Sequence, residues 1–231
     1  MKIFTLAVLL NITFCFAQKS YVFDTLLEYD CKSITPIKDS TFTKYLYTNS
    51  KNNSYYITIK NLDSLNYSLE FVDTDKHYSK VKVLKNKLFK SAEIDILDCK
   101  DVANVYNQYK NRIKDYKFIN LQDTLINNIL LKNYKLTYVK SKKKKTRKKI
   151  GAIQYIIKED TEFHSPILLH PTAYNEWKKE KNIPNGIYEE FLFYDFNNNL
   201  TSHYKLKKIK RVKLKLNTAK PCPKTKITIQ G

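Results

Sequence analysis

Apolar and polar residues alternate through much of the first half of the chain. Tyr55, Ile57 and Ile59 alternate with Tyr56, Thr58 and Lys60, and Tyr67, Leu69 and Phe71 alternate with Ser68 and Glu70. A side-chain period of two belongs to a strand with one face buried. Val81 and Val83 continue the pattern, and polar clusters at 48–54 and 73–76 divide the runs as turns do. An antiparallel meander is predicted. From Asp101 the period changes: Val102, Val105, Tyr106, Tyr109, Ile113 and Tyr116 recur at helical spacing, with Asp101 placed to cap the start. This predicts one long amphipathic helix. A shorter one is expected to begin at Pro171, which suits a first helical turn, to carry Tyr174 and Trp177, and to stop at Pro184.

The later pattern returns to strands. Segments 129–139 and 150–157 flank a basic stretch, 141–149, and read as a hairpin with a cationic tip. Segment 187–196 reads as a strand apolar on both faces, 197–199 as a tight turn and 200–206 as the partner strand. Residues 205–215 fit two readings, because Leu206, Ile209 and Val212 are three apart while Val212, Leu214 and Leu216 are two apart. The closing alternation favours a strand, with a bulge to absorb the wider spacing. The elements together describe an α+β, strand-dominated domain at 18–217, followed by an extended tail at 218–231.

The amino terminus has a different pattern. Met1 and Lys2 precede an apolar run from Ile3 to Phe16, and Ala17 offers a small residue for cleavage, as in a secretory signal spanning 1–17. The run is shorter than the about 20 residues that cross a bilayer, and no later stretch reaches that length. Export changes the reading of the cysteines. Cys15 leaves with the signal, so Cys31, Cys99 and Cys222 enter an oxidising compartment and allow one bridge, with three pairings open. With 3 Gly in the chain there is no glycine-rich phosphate loop, which removes the usual support for nucleotide chemistry.

The formal net charge of +20 is nearly all lysine, because Arg112, Arg147 and Arg211 are the only arginines. Base and phosphate recognition recruits the planar arginine fork, so this surface argues against specific nucleic-acid binding and fits diffuse attraction to polyanions. The concentrated part is Lys142, Lys143, Lys144, Lys145, Arg147, Lys148 and Lys149. These cations repel one another unless an anion screens them, and lipopolysaccharide, acidic glycan or lipid headgroups would do so. A solvated tip without a partner is the alternative.

Candidate chemistry is sparse. Asp160, Glu162, His164 and His170 share one stretch, but their spacing matches neither a helical H-E-x-x-H pair nor a compact zinc site. A secreted hydrolase is therefore a minor alternative, and no catalytic residue, metal or cofactor is assigned. The 18 Tyr and 12 Phe point instead toward an aromatic-lined site, for which Tyr106, Tyr109, Tyr116 and Trp177 are the candidates on the two predicted helices.

Residues Ile183, Pro184, Asn185, Gly186 and Ile187 resemble the turn that names the GLPGLI family of exported Bacteroidetes proteins, with Asn185 inserted. In that family a strand like 128–139 precedes one like Ile150, Gly151, Ala152, Ile153, Gln154 and Tyr155, then a Pro-containing loop like 165–171, then the turn. The resemblance covers roughly 120–205. It implies a layout similar to periplasmic lipoprotein carriers, in which a strongly curved antiparallel sheet, an incomplete barrel, wraps helices around an apolar cavity. The expected role is an exported envelope binding or carrier protein for a lipid, acyl chain or apolar peptide. The alternative role is docking on anionic envelope polymers through the lysine-rich tip.

Overall fold

The computed structural model describes residues 19–34, 39–74, 76–106, 110–222 and 226–228. The expected signal at 1–17 lies outside them. The first half is the predicted meander: β1 (Lys19–Ser33), β2 (Ser40–Asn49), β3 (Asn52–Asn61), β4 (Asn66–Asp73) and β5 (His77–Leu84) pair antiparallel in succession. Short polar side chains hold the turns. Asn49 Oδ1 accepts from the backbone N–H groups of Lys51 and Asn52, and Asp63 Oδ1 accepts from those of Leu65 and Asn66.

A one-turn helix, α1 (Lys85–Leu88), and β6 (Glu93–Ile96) follow, and β7 (Val102–Tyr106) begins where the long helix was expected. That helix does not form. Its span is divided among β7, a 3-10 turn at Lys110–Asp115 and β8 (Tyr116–Asn120), while Tyr109 falls outside the described residues. The reason is tertiary. Val102 is fully buried and Ala103 nearly so, and β-branched and aromatic residues gain more in a sheet packed on both sides than in a surface helix. The strand also finds partners on both edges: β5 on one, and β15 (Lys226–Thr228) in parallel on the other.

Beyond β8, the short pair β9 (Thr124–Ile126) and β10 (Ile129–Leu131) leads to β11 (Asn133–Tyr138). The cationic stretch then forms α2 (Lys142–Arg147) before β12 (Ala152–Ile157), so the predicted hairpin has a helical tip. The second helix is where it was expected, as α3 (Pro171–Glu180) with Pro171 in its first turn. β13 (Tyr188–Tyr194) and β14 (Leu200–Thr218) are joined by a turn in which Asp195 Oδ1 accepts from the N–H groups of Asn197 and Asn199. Register shifts in the β1–β14 ladder lie between its 206 and 208 and between its 211 and 214 positions. The first bulge puts Leu206 and Ile209 against the same core, while Val212 packs with Leu214 and Leu216 against the other.

The strand order is β15-β7-β5-β4-β3-β2-β1-β14-β13-β12-β11-β8, with β6 pairing β14 off that path, and the sheet does not close. It curves strongly. β3 and β12 are five strands apart in this order, about 24 Å across a flat sheet, yet Tyr56 and Tyr155 belong to one core cluster. The inner face carries Leu27, Tyr29, Leu46, Tyr155, Tyr188 and Phe191. The other face of the meander buries Leu26, Tyr47, Ile57, Ile59, Leu69 and Phe71 beneath Leu88, Ile96 and Val102 from the 85–106 connection. Cys99 and Cys222 form the bridge and Cys31 is the leftover thiol, buried on the inner face. Within the expected tail, Cys222 is thus tied down and Lys226–Thr228 is a strand.

Candidate ligand site at the open edge of the sheet

A loop, 158–170, crosses the inner face before α3. Its second half is pinned to β3 and the turn before it. Ser165 N–H donates to the Ser50 carbonyl at 2.8 Å, Asn53 Nδ2 donates to the Pro166 carbonyl at 2.9 Å, and the Tyr56 hydroxyl donates to the Leu169 carbonyl at 2.9 Å. Ile167 and Leu168, both buried, then fill the hollow of the curve together with Ala173 and Tyr174. The space left between the loop and the sheet, beside Tyr29, Lys44 and Tyr204, is about 10 Å³, too small for a lipid chain.

A larger cavity lies at the edge of this plug, between the start of α3 and the segment after α2. It measures about 480 Å³ and is open on one side. Leu136 of β11, Ile153 of β12 and Phe193 of β13 supply an apolar floor, with Tyr116 of β8 beside them. Arg112, Lys148 and Lys149 form its basic rim. The wall is tight at Gly151, where a Cβ would stand 2.2 Å from the Tyr194 carbonyl oxygen, so only glycine lets β12 start this close to β13.

His170 also lines the cavity. Its Nδ1 accepts from the Thr172 N–H at 3.1 Å and so caps α3. Burial holds its pKa down at about 4. Above about pH 6.5 neither the folded nor the unfolded chain carries this proton. Below that, the unfolded imidazole takes up a proton that the folded one refuses until about pH 4, so stability falls through this window as the medium is acidified. Replacement by asparagine keeps an acceptor for the cap and removes the titration. His170→Asn is expected to spare about 2 kcal/mol of the loss between pH 6.5 and 5, read from urea midpoints at both pH values. Equal acid losses in both proteins would contradict it.

The expected site residues do not converge as one set. Tyr116 reaches the 480 Å³ cavity, but Trp177 packs at the margin of the core with the Lys181 ammonium 3.4 Å from its ring centre. Tyr106 sits on β7, in the half of the sheet remote from β8, and Tyr109 is outside the described residues. Of the cations, Lys148 and Lys149 reach the rim, whereas Lys142, Lys143, Lys144, Lys145 and Arg147 lie on α2, with Lys145 Nζ 3.5 Å from Asn198 Oδ1. The turn at Ile183, Pro184, Asn185, Gly186 and Ile187 is packed rather than presented: Ile183 and Ile187 are buried, and Gly186 has φ 148° with a virtual Cβ 2.5 Å from Ile157 Cγ2. Its backbone N–H donates to the His164 carbonyl at 2.7 Å, so the turn locks the 158–170 loop.

The histidine and acid stretch has a structural explanation. His164 Nδ1 meets the Ser165 carbonyl, so it carries the proton, and Nε2 accepts from Thr48 Oγ1 at 2.8 Å. Both ring nitrogens are used, and burial lowers its pKa. Asp160 and Glu162 face solvent, and among the described residues no three His, Cys, Asp or Glu side chains gather as a metal site would require. Sequence reasoning missed Arg112, Leu136, Ile153, Phe193 and His170 as neighbours. The one available signal was Arg112, one of 3 arginines beside 39 lysines in a chain of 42 such cations. Two further hollows are present: one of about 580 Å³ between Ile113, Lys117 and Lys178, and one of about 370 Å³ on the opposite face between Tyr45, Phe89, Lys208 and Lys210.

No family model matches the chain, and no curated protein sequence does either. Among solved structures the chain is similar to MucB in complex with MucA(peri), with a TM-score of 0.39 and 6% identity over 87% of this chain and 52% of that one. The MucA/MucB complex of Pseudomonas aeruginosa gives a TM-score of 0.40 and 6% identity, over 87% and 53%. A putative outer membrane lipoprotein-sorting protein domain from Vibrio parahaemolyticus gives 0.33 and 8%, over 81% and 85%. The chain thus spans about half the length of the first two structures.

Proposed function

We propose that this protein is an exported, non-catalytic binding protein of the cell envelope that carries a lipid or acyl chain. The observation that carries the reading is the open cavity of about 480 Å³, within the range of small-molecule sites, with Leu136, Ile153 and Phe193 as its floor. The signal-like amino terminus and the Cys99–Cys222 bridge support export, since such bridges persist in oxidising compartments. No helix among the described residues is long and apolar enough to cross a membrane. Because Ile167 and Leu168 plug the inner face, the ligand is assigned to the edge cavity rather than to the centre of the curve.

Native mass spectrometry of the protein purified from its own envelope, before and after organic extraction, tests this. A bound lipid mass removed by extraction is the expected result, and a clean protein mass in both samples would overturn it. The second reading, docking of α2 on anionic envelope polymers, is favoured by the exposed cations Lys142, Lys143 and Arg147 beside the half-buried Lys144 and Lys145. It requires polyanion binding that weakens steeply with salt and disappears when those residues are replaced by glutamine.

A further inference from the structure

The floor and the rim of the edge cavity make different demands on a ligand. Leu136, Ile153 and Phe193 offer no hydrogen bond, while Arg112 and Lys148 come together from separate elements, the 3-10 turn before β8 and the segment after α2. Two cations converging on one hollow repel each other. Arg112 is the main cause that holds the Lys148 ammonium below the ordinary lysine range, followed by desolvation and then by Lys144 and Arg147, against a smaller opposing pull from Asp115. An anion placed between Arg112 and Lys148 would remove that repulsion. Arginine is suited to the place, because its planar fork pairs with two oxygens of a carboxylate or phosphate. His170 at the same cavity adds no charge near neutral pH, since burial keeps it unprotonated.

We infer that the cavity takes an amphiphile with an anionic head, its chain against Leu136, Ile153 and Phe193 and its carboxylate or phosphate between Arg112 and Lys148. This rests on the ligand-binding reading above and specifies the head that reading leaves open. It also gives the cationic stretch a local role. Lys148 and Lys149 close the site, and the cations of the preceding α2 raise the positive potential through which an acidic lipid approaches.

Three sixteen-carbon compounds separate the possibilities: hexadecanol, palmitate and hexadecyl phosphate, each titrated below its aggregation concentration into the delipidated protein. Both anions are expected to bind about tenfold more tightly than the alcohol, a charge-assisted hydrogen-bond contribution. In Arg112→Gln/Lys148→Gln that preference is expected to vanish, with hexadecanol affinity and melting temperature unchanged because both side chains are exposed. A preference for only one anion names the head as carboxylate or phosphate. Equal affinity for all three compounds, or a preference that survives the double substitution, overturns the anionic head while leaving the cavity reading intact. No binding of any of them overturns both.

Discussion

Replacing Cys99 and Cys222 together by serine is expected to cost between 2 and about 5 kcal/mol of unfolding free energy. The bridge joins positions 123 residues apart, and closing so long a loop removes much of the freedom of the unfolded chain. The structure adds a local reason. Cys99 precedes β7, and Cys222 precedes β15, whose parallel pairing with β7 spans Lys226–Thr228 against Asn104–Tyr106. A three-residue parallel strand has little pairing of its own, so the covalent tie keeps it at the sheet edge. The Cys222 N–H also donates to the Cys99 carbonyl at 3.2 Å. Cys31 does not compete for either partner: it is buried, and burial pushes its thiol up to about 11, which suppresses the thiolate needed for exchange. Guanidinium unfolding of the double serine variant beside the oxidised protein measures the effect. A difference under about 1 kcal/mol would show that the edge strand holds without the bridge.

Lys44→Met is expected to do the opposite and stabilise the fold by about 2–3 kcal/mol near neutral pH. Lys44 is buried on the inner face, with Nζ 3.5 Å from the Tyr204 hydroxyl and 4.6 Å from that ring centre. Neither contact replaces a carboxylate. Burial is the main cause that lowers its pKa to about 8, and neighbouring Lys60 adds to it. Above about pH 10.5 both states are neutral. As the pH falls below that, the unfolded lysine binds a proton that the folded one accepts only near pH 8, so stability declines across this interval and stays lower beneath it. Methionine matches the length of the stem and carries no charge. Urea midpoints at pH 7 and pH 10 should show a large gain at the lower pH and a much smaller one at the higher. A loss of stability at pH 7 would mean that the cation is better solvated inside than this account allows.

Much of the strand content was legible because it rests on local rules. Tyr55 to Ile59 and Tyr67 to Phe71 alternate, Asn49 and Asp63 supply turn chemistry, and each strand pairs with the next in sequence. The short helix at Pro171 was legible for the same kind of reason, since proline suits a first turn and needs no partner elsewhere. The segment from Asp101 misled because its spacing matches a helix, while its fate depended on β15 more than a hundred residues away and on the Cys99–Cys222 pairing. A periodicity argument cannot contain that contact. Likewise, the face that buries Ile167 and Leu168 exists only once β3 and β12 curl toward each other.

The candidate site divides the same way. The cationic stretch and the wealth of tyrosine were plain in the order of residues, because charge density and composition are properties of the chain itself. Only the folded sheet decided that Lys148 and Lys149 meet Arg112, Leu136, Ile153 and Phe193 around one hollow, while Tyr106 and Trp177 lie elsewhere. Local periodicity and turn chemistry act between near neighbours and determine strands, turns and the short helix. Strand order, sheet curvature and the disulfide act between residues far apart, and they alone determine where a cavity opens and which side chains surround it.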